Sequence, residues 1–155
     1  MFRRDLPDWV FEPEVSFAIY GERGVIDILA WHPRLRAVLV IELKTDIVDV
    51  NDLVGAVDRK RRLAWQVARE RGWKPDTVSV WVIVAAGRTN RARIAAHGGM
   101  LRAAYPVDGR SIRSWLREPS GQVAALSMWQ ELPGRAPKAD LRPVRRVRVR
   151  PTGLA

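Results

Sequence analysis

The two apolar runs at residues 37–44 (AVLVIELK) and 77–87 (TVSVWVIVAAG) constrain this chain more than any other feature. The second has no charged residue in eleven positions, which predicts a strand covered on both faces. The first is a buried strand that ends on two charges, Glu42 and Lys44. Two earlier segments, 14–20 and 25–31, read as strands joined by GERG (21–24), a tight turn in which Gly21 and Gly24 are free to take positive φ. With 37–44 they predict an antiparallel meander. Asn51 is a plausible N-cap for a helix over 52–71, closed by Gly72 and Pro75. Thr89 or Asn90 then caps a helix running to about Tyr105, and residues 111–119 form a short helix. The expected order is β-β-β-α-β-α, an α/β mixture around one sheet.

Charge divides the chain. The formal net charge is +10, and residues 133–155 hold six Arg, one Lys and one Asp, giving +6. The expected organisation is therefore one domain over 1–132 and a basic, flexible tail or edge strand over 133–155. A basic chain favours an anionic partner, nucleic acid first, while a solvated basic tail accounts for the same charge. There is no cysteine, so no disulfide framework or thiolate site is available. No apolar run is long enough to span a membrane, and the N-terminal MFRRDLPDWV has no apolar signal-peptide core. The expected location is cytoplasmic.

The chemistry lies where the third strand ends. Side chains alternate faces along a strand, so Val38, Val40, Glu42 and Lys44 share one face and Leu39, Ile41 and Leu43 the other. On the second strand Asp27 falls between isoleucines and shares a face with Val25 and Leu29. If the two strands pair antiparallel about the 32–36 loop, residue numbers of partners sum to 69 and Asp27 lies opposite Glu42. Two carboxylates on one face repel unless a cation lies between them, and a hard divalent ion such as Mg²⁺ takes oxygen ligands. Lys44 beside such an ion is suited to orient a water and stabilise a developing phosphorane. A buried ion pair, Asp27–Lys44 or Glu42–Lys44, accounts for the same spacing without catalysis.

The segments GVIDILAW and AVLVIELKT resemble the PD-(D/E)XK nuclease family, with Asp27, Glu42 and Lys44 matching its Asp and Glu-x-Lys motif. The resemblance covers roughly residues 10–87. It implies a restriction-endonuclease-like mixed sheet flanked by helices and Mg²⁺- or Mn²⁺-dependent hydrolysis of nucleic-acid phosphodiesters, DNA being the expected substrate. It also implies a metal site of Asp27, Glu42 and the Leu43 carbonyl, with Glu14 as an extra acid at the first strand. More loosely, the chain resembles the nuclease-like C-terminal part of bacterial helix-turn-helix regulator-like proteins. That fold normally opens with a helix packed on the sheet. Here residues 1–13 contain Pro7 and Pro13, so the expectation is a missing or shortened helix, with a partner or a second copy covering the exposed sheet face. A catalytically inactive module that binds DNA or a protein partner is the alternative.

The helix after the third strand adds one candidate. Projected at 100° per residue from Leu53, the residues Ala56, Val57, Leu63, Ala64 and Val67 form an apolar stripe. Lys60 falls at about −20°, inside it. Such a lysine either snorkels outward or reaches the carboxylates or a phosphate. Arg88, Arg91 and Arg93, near the start of the second helix, are candidate phosphate contacts, or else an exposed basic turn.

Overall fold

The computed structural model of the chain describes residues 2–129. These form an α/β structure around one five-stranded mixed sheet of order β1-β2-β3-β4-β5. β1 (Val10–Ile19), β2 (Glu22–His32) and β3 (Ala37–Lys44) pair antiparallel, while β4 (Thr77–Ala85) and β5 (Ala124–Trp129) continue from β3 in parallel. α1 (Phe2–Asp5) precedes the sheet and α2 (Val50–Glu70) crosses from β3 to β4. α3 (Arg88–Ala96), α4 (Gly98–Ala104) and α5 (Gly109–Arg117) connect β4 to β5. The expected tail, 133–155, and the domain's last residues, 130–132, lie outside the described residues.

The β2–β3 ladder has the expected register: Ile28 faces Ile41, Leu29 faces Val40 and His32 faces Ala37. Face alternation along β3 also holds. Val38 and Val40 join the α2-side core, and Leu39 and Ile41 the opposite one. On the α2 side, Leu53, Val57, Leu63, Ala64 and Val67 pack with Val38, Val40, Val80 and Val82. Each of these leucines and valines contributes about 1.5–3 kcal/mol on burial. On the opposite side, Ile112, Trp115 and Leu116 of α5 pack with Trp9, Phe11, Leu39, Ile41 and Trp81.

Several expectations are corrected. β1 begins at Val10 rather than at residue 14, with Pro13 inside it; β1 is an edge strand, where a missing N–H costs little. The turn is the two-residue Tyr20-Gly21, with φ of 51° and 78°, closed by Ile19 facing Glu22. Gly24 is a strand residue instead. A Cβ there would lie 2.7 Å from Cζ of Phe17, its cross-strand partner, so the glycine gives the ring room.

The α2 N-cap is Asp49, not Asn51, and its side chain accepts from the Asp52 N–H at 3.0 Å. The helix expected to reach Tyr105 is two, broken at His97 before Gly98 and Gly99, which are poor helix formers. Its N-cap is Gly87, without a side-chain hydrogen bond. The N-terminal helix is indeed short, four residues among those described. The sheet face it was expected to leave open is nevertheless occupied, because α5 and Trp9 build a core there.

Candidate functional site at the end of β3

β2 and β1 change face together where β3 begins to run past them. Phe11 and Ile28 belong to the α5-side core, yet Val15 and Ile26 belong to the α2-side core, although an even number of positions separates each pair. The residue at the change on β1 is Glu14, at φ 51° and outside the ladder; the β1–β2 register brings it level with Asp27. A left-handed non-glycine residue is uncommon and disturbs alternation locally. Asp27 therefore does not share a face with Val25 and Leu29 as simple alternation predicts. Val25 is exposed, and both Ile26 and Leu29 are buried on the α2 side.

The β2–β3 ladder stops at Ile28 and Ile41, one step short of an Asp27–Glu42 pair. Asp27 instead turns its carboxylate along the sheet, where Oδ2 accepts from the Leu43 N–H at 2.7 Å. In an extended strand the N–H and C=O of one residue point to the same side. The Leu43 carbonyl therefore faces the side on which Asp27 stands.

Glu42 is 2 % exposed and meets two lysines. Lys60 Nζ donates to both its oxygens, at 2.8 and 2.6 Å, and Lys44 Nζ lies 2.8 Å from Oε1. Lys60 comes from the apolar stripe of α2, as the helical projection anticipates, and its side chain is 11 % exposed. Lys44 is more open, at 33 %. A buried carboxylate requires this kind of compensation, since an unpaired charge in a core costs several kcal/mol. The side-by-side ion pair considered from the sequence thus exists between Glu42 and Lys44, with Lys60 added.

Asn90 holds the loop that leaves this strand. It is 4 % exposed. Its amide donates to the carbonyls of Thr45 and Ala85, at 3.1 and 2.9 Å, and its Oδ1 accepts from the Ile47 N–H at 3.1 Å. This fixes the backbone directly after Lys44 to the end of β4. Asn90 was legible as a polar residue near a helix start, but not as this bridge.

Arg93 reaches Asp46 at 3.3 Å, while Arg88 and Arg91 are exposed on α3. Tyr105 was legible as a helix end but not as a neighbour of this site. It is buried, its hydroxyl makes no hydrogen bond among the described residues, and burial raises its pKa, helped by the charges of Asp58 and Glu42. Nothing in the sequence around Tyr105 signals its approach to Glu42.

Asp27, Glu42 and the Leu43 carbonyl offer hard oxygens, and no group of three or more His, Cys, Asp or Glu able to hold a metal occurs among the described residues. Two carboxylates are too few for an all-protein cage. One or two carboxylates together with substrate phosphates are a common way of holding Mg²⁺. No helix among the described residues is long and apolar enough to cross a membrane. Compared with protein-family models, with curated proteins and with solved structures, the chain matches none.

Proposed function

We propose that this protein is a Mg²⁺-dependent, restriction-endonuclease-like nuclease that hydrolyses nucleic-acid phosphodiester bonds, DNA being the expected substrate. The observation that carries the reading is the hydrogen bond from the Leu43 N–H to Asp27 Oδ2, which gathers Asp27 against the Glu42-Leu43-Lys44 tripeptide at one strand end.

In this reading Asp27, Glu42 and the Leu43 carbonyl hold the ion, with Glu14 an additional acid beside Asp27. Bound there, a divalent ion would supply positive charge at the scissile phosphate and make a water easier to deprotonate. Lys44 orients that water and stabilises charge developing on the phosphoryl oxygens. Asn90 keeps the chain after Lys44 in place while this happens. Lys60 pairs with Glu42 before substrate arrives and contacts the substrate phosphate once it is bound. Arg88, Arg91 and Arg93 bind flanking phosphates, which position a nucleic acid without reading its sequence.

One observation favours a second reading. Both Glu42 oxygens are already held by Lys60, the arrangement expected of a nuclease-like module that binds DNA or a protein partner without cutting.

Cleavage of supercoiled plasmid and of single-stranded DNA in Mg²⁺ separates the two. The nuclease reading expects Mg²⁺-dependent cutting by the wild type, reduced at least about a hundredfold in Asp27→Asn, Glu42→Gln and Lys44→Ala. Folded wild-type protein that binds DNA but never cuts it in Mg²⁺ or Mn²⁺ overturns that reading in favour of the binding module.

A further inference from the structure

Glu42 has one negative charge and meets two ammonium groups. Three short contacts occupy its oxygens: two from Lys60, at 2.8 and 2.6 Å, and one from Lys44, at 2.8 Å. A carboxylate offers about four acceptor positions. A divalent cation arriving at Glu42 alone would therefore meet like charge from two sides.

Lys60 has little freedom to withdraw into water. It sits among Val57, Leu63 and Ala64 on the buried stripe of α2, and its side chain is 11 % exposed. An ammonium left bare there is costly, so a second anion is the partner that favours its release of Glu42. A phosphodiester is such an anion.

We infer that the divalent cation and the nucleic-acid phosphate enter this site as a pair, the phosphate drawing Lys60 and Lys44 off Glu42 and so freeing the carboxylate for the cation. The inference rests on the nuclease reading of the site and adds its regulation. Without an anionic substrate the two lysines latch the site against the metal. The coupling is positive, and it is reciprocal: the metal tightens phosphate binding by the factor by which phosphate tightens metal binding.

Calorimetric titration of Mg²⁺ into the wild-type protein tests this, with and without saturating thymidine bisphosphate. That probe carries phosphates on a nucleoside and has no internucleotide bond to cleave. Mg²⁺ binding by the probe alone is measured separately and subtracted. The expected result is Mg²⁺ binding at least about fivefold tighter with the probe present. Lys60→Gln, with its fold checked by circular dichroism, is expected to bind Mg²⁺ more tightly than wild type in the absence of the probe and to lose most of the coupling. Should that variant fail to fold, the reciprocal titration on wild type serves instead, with probe affinity rising by the same factor in Mg²⁺.

Equal Mg²⁺ affinity with and without the probe overturns the latch and leaves the metal site standing. Folded protein that binds no Mg²⁺ under either condition overturns the latch and the nuclease reading together.

Discussion

His32 and Glu42 are both buried, at 1 % and 2 % exposure, and they stand towards opposite ends of the β2–β3 pair. The fold treats them in opposite ways. His32 lies against the Trp9 ring, 5.2 Å away edge to face, and its Nδ1 accepts from the Leu35 N–H at 3.2 Å. Burial lowers its pKa, aided by the charge of Arg34, so the ring is held neutral. Glu42 lies on the other end with two lysines against it. A buried ionisable group is accommodated either by losing its charge or by having it compensated. The first end is built for packing. The second keeps charge inside the protein at the cost of desolvating it, and compensates it with two ammonium groups.

The largest expected effect tests whether that charge is compensated. Lys60→Met leaves Glu42 buried with only the partly exposed Lys44, and should cost about 3–5 kcal/mol in denaturant unfolding. Adding Glu42→Gln should recover a large part of the loss, because the uncompensated charge is then gone. A double variant as unstable as the sum of the two singles would mean that the pair is not coupled and the contrast with His32 fails.

Asn90→Ala strands two carbonyls and one N–H around the loop after Lys44, and about 1–3 kcal/mol of stability should go with it. Hydrogen exchange should quicken at Ile47 more than at Leu35, at the other end. Equal quickening at both ends would remove Asn90 as a local clamp.

The His32 end responds to pH. Because the folded-state pKa lies below the unfolded value of 6.5, folding favours the neutral ring. Stability is complete above 6.5 and is lost as pH falls below it towards the folded pKa. His32→Gln keeps an acceptor for Leu35 and should lack this loss. Parallel pH profiles for the two proteins between neutrality and pH 5 would show that His32 is not held neutral.

The smallest effect is a control on burial. Asp76, paired with Arg36 at 3.3 Å, is 62 % exposed, and Asp76→Asn should change stability by less than about 1 kcal/mol. A larger loss would mean that charge pairing alone, rather than burial, sets the cost at Glu42.

The parts legible in the sequence are those with strong periodicity. Alternation in AVLVIELK gave the faces of β3, the loop position gave the β2–β3 register, and the helical stripe marked Lys60 as a core-facing charge. The change of face at Glu14 and Asp27 was not legible, because one left-handed residue shifts the alternation without altering composition. β5 was missed because Ala124, Ala125 and Ser127 carry little β-propensity; pairing with β4 makes them a strand. The nearness of Tyr105 to Glu42 depends on its joining the α2-side core after α4 ends, which no local pattern records.

The most direct test of the site is anomalous diffraction from crystals grown with Mn²⁺ and thymidine bisphosphate. A manganese peak is expected within bonding distance of Asp27, Glu42 and the Leu43 carbonyl, with Lys60 turned from Glu42 towards the phosphate. Bound probe with no manganese peak there, and Lys60 still on both Glu42 oxygens, would contradict it.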